Sequence, residues 1–307
     1  MVQKTIIKIG VIGTGVMGRN HVRVLNELGV LTAISDNNIK TLKHISKKHK
    51  VKQAYIDHNE MLKKEDLDGV VIATSTRYHK TLVLDCIKQG VNILVEKPIA
   101  LKLNDAQEMI TKAKKKGIIF TVGHIERFNP VVTKIKKLLK TLGKIDLVNC
   151  ARVSPYPKRS IAIHEGILID IGVHDFDIIQ YLFGAVSDFH TRMIFSGKQD
   201  IYVKSIFKIN KKIMGSMELS WISPKKERTI SIYGKKGMFK GDLLNKELLF
   251  YGDTTTKKYS IINKEPLKLE LQHFIDCIKH NKKPLVSPEE AMGVLKTVAD
   301  IYDKEKS

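Results

Sequence analysis

At 307 residues the chain is long enough for one large domain or two ordinary ones, each with its own core. Its 43% hydrophobic and 28% charged residues exclude a disordered or low-complexity chain, and no apolar run is long enough to span a bilayer. A net charge of +21 raises nucleic acid or an anionic membrane as partners. Yet the lysines come in short groups, Lys114-Lys115-Lys116 and Lys136-Lys137, within patterns of solvated helix faces and without any nucleic-acid-binding motif. They read as surface, so neither nucleic acid nor membrane is expected as a partner, although the positive field suits an anionic substrate. Cys86, Cys150 and Cys277 are scattered, with no CxxC or zinc spacing, which fits a reducing cytoplasm and no metal site.

The apolar stretch after Met1 is too short for a secretion signal and reads as the first strand, with IIKIGVI over residues 6–12 buried on both faces. A helix through about Leu28 follows, stopped by Gly29, then a strand over 30–35 ending at Asp36 and a basic helix to about Lys50. Short elements over 53–63 precede a strand from Gly69 to Thr74, a helix from about Tyr78 to Gln89 and a strand over Val91–Val95. One more helix and a strand at 118–122 complete an alternation that predicts an α/β, doubly wound parallel sheet. Beyond Gly123 the texture changes. A helix over 130–140, a strand over 145–153, a proline-broken loop and a helix over 167–183 lead to short alternating strands over 186–262. These predict a mostly antiparallel sheet, closed by helices over 267–280 and 288–303. The expected domains are 1–122 and 123–307, with the terminal helices able to pack back on the first, and with a ligand cleft between the two.

The chemistry begins at Gly13-Thr14-Gly15-Val16-Met17-Gly18, which follows a strand and opens a helix. Gly13 permits a tight turn, Gly15 lets the backbone approach a pyrophosphate, and Gly18 packs helix against strand. Asp36 ends the next strand, where its carboxylate would accept from ribose hydroxyls and repel a 2′-phosphate, favouring NAD over NADP. Thr74, Ser75 and Thr76 lie where another strand opens on the ligand crevice, and His79 starts the following helix as a packing residue or a cofactor contact. Glu96-Lys97-Pro98 ends the most apolar strand, which brings Lys97 near a nicotinamide. Asp170, His174, Asp177 and Tyr181 recur at helical spacing on one stripe, and Gly172 among them suggests that something approaches closely. Asp170 one turn before His174 suits the orientation of an imidazole.

GTGVMGRNH, the EKP tripeptide and the D-x-G-x-H-x-x-D helix together resemble the glucose–fructose oxidoreductase, inositol dehydrogenase and rhizopine catabolism (Gfo/Idh/MocA) family over nearly the whole chain. The resemblance implies an N-terminal Rossmann domain and a C-terminal α/β domain whose open antiparallel sheet commonly makes a homodimer or homotetramer interface. It carries the family's lysine onto Lys97 and its aspartate and histidine onto Asp170 and His174. Two further segments, Gly123 to Pro130 and Arg152 to Arg159, resemble the UDP-N-acetylglucosamine 3-dehydrogenase branch, whose members oxidise a sugar 3-hydroxyl to a ketone, usually ahead of an aminotransferase. Arg127 in the first segment and Glu96 then count with the cofactor-binding residues. Arg152, Lys158 and Arg159 in the second would hold a diphosphate.

The expected reaction is oxidation of a sugar secondary hydroxyl, most of all at C3 of UDP-N-acetylglucosamine or its uronate. His174 takes the proton, Lys97 hydrogen-bonds the same oxygen and Asp170 orients His174, with Lys97 and His174 able to exchange roles. Two alternatives stand beside it: a dehydrogenase of a free polyol or monosaccharide, and a non-catalytic regulator that senses the cofactor.

Overall fold

A computed structural model describes residues 7–157 and 166–306, which divide into two compact units. The first comprises residues up to His124 with Leu267–Met292, and the second Ile125–Pro266 with the residues from Gly293 onward.

In the first unit six strands form one parallel sheet: β1 (Ile9–Ile12), β2 (Leu31–Ser35), β3 (Gln53–Tyr55), β4 (Gly69–Ile72), β5 (Asn92–Glu96) and β6 (Phe120–Gly123). Their order, 3-2-1-4-5-6, is the doubly wound order of dinucleotide-binding folds. Val11, Val70, Val71 and Ile93 are wholly buried, as strands covered on both faces require. The helices α1 (Val16–Glu27), α2 (Ile39–His49), α3 (His58–Lys64), α4 (His79–Gln89) and α5 (Leu103–Lys116) alternate with the strands. Local chemistry sets their ends. The Asn38 side chain accepts from the first turn of α2, and Gly90 and Gly117 end α4 and α5 in the left-handed conformation. Late in the chain α8 (Pro266–His280) returns to this sheet, where Ile278 and Phe274 crowd the position a Cβ on Gly69 would take.

The second unit holds α6 (Pro130–Leu138), β7 (Ile145–Pro155), α7 (Val173–Phe183), β8 (Val186–Ser196), β9 (Gln199–Ile209), β10 (Ile213–Ser220), β11 (Ile222–Gly234), β12 (Gly237–Asp242), β13 (Glu247–Tyr251) and β14 (Thr256–Tyr259). These strands make one sheet in the order 14-13-12-11-7-10-9-8, antiparallel except for the pairing of β7 with β10. Phe176, Ile179, Phe207, Met217, Leu219 and Phe239 lie at the centre of its core. The residues from Gly293 onward belong to the last helix, α9 (Pro288–Lys306), whose Val294, Val298 and Ile301 join that core.

Two helices depart from expectation. The one expected to reach 140 ends at Leu138, tightens into a 3-10 turn over Leu139–Leu142 and stops at Gly143 with φ 69°. The helix expected over 167–183 is a π turn at Leu168–Gly172 before it becomes α7. Among the described residues no helix is long and apolar enough to cross a membrane.

Candidate active site

The glycine loop joins β1 to α1, and each glycine has a steric reason. Gly13 has φ +91°, and an added Cβ would lie 2.6 Å from the Ala73 carbonyl oxygen. On Gly18 a Cβ would fall 1.9 Å from the Gly13 oxygen, whereas on Gly15 it would meet nothing within 4 Å. Gly15 is the N-cap of α1 and has no side chain to fold over the first turn, so N–H groups and the positive dipole end face open space. That cradle fits a pyrophosphate. Thr14 is wholly buried, Val16 is 59% exposed and Met17 half-buried.

Asp36 follows β2 and is bound to the same loop. Its Oδ2 accepts from Thr14 N at 2.7 Å and Thr14 Oγ1 at 2.8 Å, while Oδ1 accepts from Asn38 N at 2.8 Å. After β4, Thr74 and Ser75 are half-buried and Thr76 buried, with Ser75 O accepting from Tyr78 N in a short 3-10 turn. His79, expected as packing residue or cofactor contact, is wholly buried. Its Nδ1 lies 3.0 Å from Pro98 O and its Nε2 3.3 Å from Thr74 O, so it braces the loops after β4 and β5. Burial lowers its pKa, against the raising pull of those two carbonyls and of Glu96.

Lys97 stands at the carboxyl end of β5, half-buried, followed by a cis bond to Pro98. Glu96, expected among the cofactor contacts, is instead 6% exposed and turned inward: His21 Nε2 lies 2.7 Å from its Oε1, and Lys97 N donates to Oε2 at 3.2 Å. Burial works to raise its pKa, but the hydrogen bond and charge of His21, with Lys97, hold it below the usual carboxylate range. Four adjacent strands, β2, β1, β4 and β5, thus present Asp36, the glycine loop, Thr74–Thr76 and Lys97 along one carboxyl edge.

In the second unit Asp170 lies in the π turn and His174 in the first turn of α7. The glycine between them, Gly172, is explained by packing rather than by a ligand: a Cβ there would come within 2.8 Å of Leu219. The four-residue stripe also divides. Asp177 is wholly buried against Arg127, and Tyr181 lies under the Arg127 guanidinium, 4.9 Å from the ring centroid. Arg127, expected at the cofactor, is 2% exposed and belongs to this pair. Arg152, expected to grip a diphosphate, is 3% exposed: Nε donates to Asp175 Oδ2 at 2.7 Å, Nη2 to Asp175 Oδ1 at 3.0 Å and Nη1 to Glu126 Oε1 at 3.0 Å. A guanidinium so buried has its charge already paired with two carboxylates inside the core. Lys158 and Arg159 lie outside the described residues.

Residues 7–124 match the profile of an oxidoreductase family with an NAD-binding Rossmann fold, and residues 132–240 that of the GFO/IDH/MocA C-terminal domain. The chain belongs to the Gfo/Idh/MocA oxidoreductase family. It is 33% identical over 184 residues to myo-inositol 2-dehydrogenase of Thermotoga maritima, which covers 58% of this chain and 55% of that protein. With scyllo-inositol 2-dehydrogenase (NAD(+)) of Bacillus subtilis the identity is 27% over 309 residues, 93% of this chain and 90% of the other. UDP-N-acetylglucosamine 3-dehydrogenase of Acidithiobacillus ferrooxidans is 26% identical over 179 residues, 58% of this chain and 55% of that protein. Its solved structure superposes with a TM-score of 0.89 at 20% identity, covering 96% of both chains. The first and third of these sequence matches therefore span only about half of each relative.

Sequence reasoning about this Gfo/Idh/MocA chain missed the partners that hold its site residues. His21 is one of them. It lies three residues after Gly18, on the buried face of α1 with Val22 and Leu25, and a polar residue in that apolar stripe was the signal. Asp200 on β9 is another: its Oδ2 accepts from Leu168 N at 2.8 Å and its Oδ1 from the Tyr302 hydroxyl at 2.8 Å, so it caps the start of the π turn. Nothing local to the sequence pairs residues so far apart.

Proposed function

We propose that the chain is an NAD-dependent dehydrogenase that oxidises a secondary hydroxyl of a sugar or polyol to a ketone. The first unit would serve the cofactor and the second the substrate, with Lys97, Asp170 and His174 acting on the hydroxyl. The observation that carries this reading is the single sheet edge that gathers the glycine cradle, Asp36 and Lys97. NAD, when bound, supplies the hydride acceptor. The glycine loop and the first turn of α1 hold its pyrophosphate, and Asp36 accepts from its ribose. Lys97 donates a hydrogen bond to the substrate oxygen and stabilises the negative charge that develops there. His174 takes the hydroxyl proton, and Asp170 orients the imidazole.

For the substrate the reading is UDP-N-acetylglucosamine or its uronate, oxidised at C3. Tyr156, 42% exposed and edge-on to Trp221 at 5.7 Å, comes shortly before Lys158 and Arg159 in the sequence, with Pro157 between. An aromatic residue followed in sequence by two cations suits a uracil and a diphosphate. A second reading, a free inositol-like polyol, is favoured by the burial of Arg152 and by the likeness to myo-inositol 2-dehydrogenase. The reading also includes a second copy of the chain as partner, on the outer sheet face where Ile206 and Met214 are 50% and 57% exposed.

The test is turnover with NAD in Lys97→Ala and His174→Ala. Each should lose roughly two to four orders of magnitude in kcat with NAD affinity nearly unchanged. Near-normal turnover in either variant removes that residue from the mechanism.

A further inference from the structure

We propose that the buried His21–Glu96 pair is a positioning unit that holds Lys97 as the donor meeting the substrate oxygen. This rests on the role given to Lys97 above. Glu96 has two oxygens with two tasks. Oε1 is 2.7 Å from His21 Nε2, and Oε2 accepts the backbone N–H of Lys97 at 3.2 Å. The side chains are 0% and 8% exposed. His21 Nδ1 is buried with no hydrogen-bond partner among the described residues, so Nε2, which faces the carboxylate, is the ring nitrogen that donates to Glu96. A Cβ on Gly123 of β6 would lie 3.1 Å from Oε2, so the carboxylate fills a slot between α1, β5 and β6.

A buried carboxylate opposes folding unless its charge is compensated, and an apolar side chain would end β5 at less cost. The charge here has a use. Oε2 fixes Lys97 through its backbone N–H, and the carboxylate sets a negative charge beside the lysine that is to donate to the substrate oxygen. His21 fixes the carboxylate from α1, the helix whose N-terminus forms the pyrophosphate cradle. Among the described residues, the charged and titratable groups that act on Glu96 include His21 on α1, Lys97 next to it and His79 on α4.

The experiment uses the full chain and four variants: Glu96→Gln, His21→Leu, His21→Gln and Lys97→Ala. The first readout needs no substrate. Acetylation of Lys97 by an N-hydroxysuccinimide ester at mildly alkaline pH is followed by peptide mass spectrometry, with Lys88 and Lys102 as internal references. Glu96→Gln should speed labelling of Lys97 by about three- to tenfold without changing the references, because the carboxamide keeps the shape and one acceptor oxygen but not the charge. The second readout is kcat, KM and the pH profile, with NAD and either UDP-N-acetylglucosamine or myo-inositol as the probe. In Glu96→Gln, kcat should fall roughly tenfold or more while KM and NAD affinity change little, and the alkaline limb of the profile should move to lower pH. His21→Leu should behave likewise, and His21→Gln, which retains an N–H donor, should restore most of kcat. If His21→Leu does not fold, Glu96→Gln still decides. Wild-type labelling of Lys97 in Glu96→Gln overturns the proposal, as does a kcat loss that only tracks lost folded protein. An inactive Lys97→Ala beside a normal Glu96→Gln sinks this inference alone, whereas an active Lys97→Ala sinks the site assignment and the inference with it.

Discussion

Arg127 spreads its guanidinium across the carboxylate of Asp177, with Nε 3.0 Å from both oxygens and Nη2 2.8 Å from Oδ1, and the side chains are 1% and 0% exposed. Two residues earlier on the same helix, Asp175 takes the guanidinium of Arg152 in a comparable fork. Residues two apart on a helix point to nearly opposite sides. The helix that carries His174 is thus clamped from both flanks, by Arg127 of the turn after β6 and Arg152 of β7.

Breaking one clamp should be far worse than replacing it. Asp177→Leu leaves a buried guanidinium without its carboxylate and should cost about 3–5 kcal/mol of stability. The double variant Arg127→Met with Asp177→Leu, apolar on both sides, should recover most of that loss. Chemical denaturation of the three proteins measures it, and a single variant as stable as the wild type would refute the clamp.

These pairs also mark where the sequence stops being legible. The glycine loop, Asp36 and EKP were readable because each is short, sits at a strand end and has a steric or electrostatic reason visible in a few residues. The same holds for the alternation that gave the parallel sheet. Arg127 and Asp177 are 50 residues apart and Arg152 and Asp175 are 23 apart, so a charge that looks available to a ligand is claimed by a partner only the fold supplies. Asp177 falls on the polar stripe that the sequence spacing predicts, yet it is core. The stripe itself assumed an unbroken α period, and the π turn at Leu168–Gly172 broke it.

NAD should bind much more tightly than NADP. Asp36 Oδ2 is held by Thr14 N and Oγ1, which fixes the carboxylate beside the glycine loop, where we propose that it accepts from the ribose. Asp36→Ser should weaken NAD by roughly tenfold or more, since hydrogen bonds to a charged group contribute about 1.5–3 kcal/mol each, and should narrow the gap to NADP. Thr14→Val should move both affinities the same way by less. Calorimetric titration decides, and an NADP preference in the wild type would refute the role of Asp36.

Acid should loosen the second unit through Glu126. Burial works to raise its pKa from 4.5, but Arg152, Arg228 and Asn129 prevail and hold it lower. A carboxyl whose folded pKa lies below its unfolded one adds stability that is fully present above the unfolded value. That stability is lost as pH falls below 4.5 through the folded value. Urea unfolding of wild type and Glu126→Gln should show a wide gap at neutral pH that closes on acidification. A gap that stays constant would mean that ionisation of Glu126 contributes nothing.

The substrate is decided by matched pairs. If Lys158 and Arg159 hold a diphosphate, UDP-N-acetylglucosamine should be turned over with a kcat/KM at least about a hundredfold above free N-acetylglucosamine, the worth of two charge-assisted hydrogen bonds. Arg159→Ala should raise KM for the UDP-sugar and leave kcat nearly intact, because its contact is remote from the reacting carbon. Arg152→Ala is the contrasting control. Its guanidinium is buried on Asp175 and Glu126, so its loss should appear first as instability. NADH formation with the UDP-sugar, the free sugar, myo-inositol and scyllo-inositol separates the readings. Efficient oxidation of an inositol, with none of any UDP-sugar, would turn the assignment to the free polyol and leave Arg159 without a part in binding.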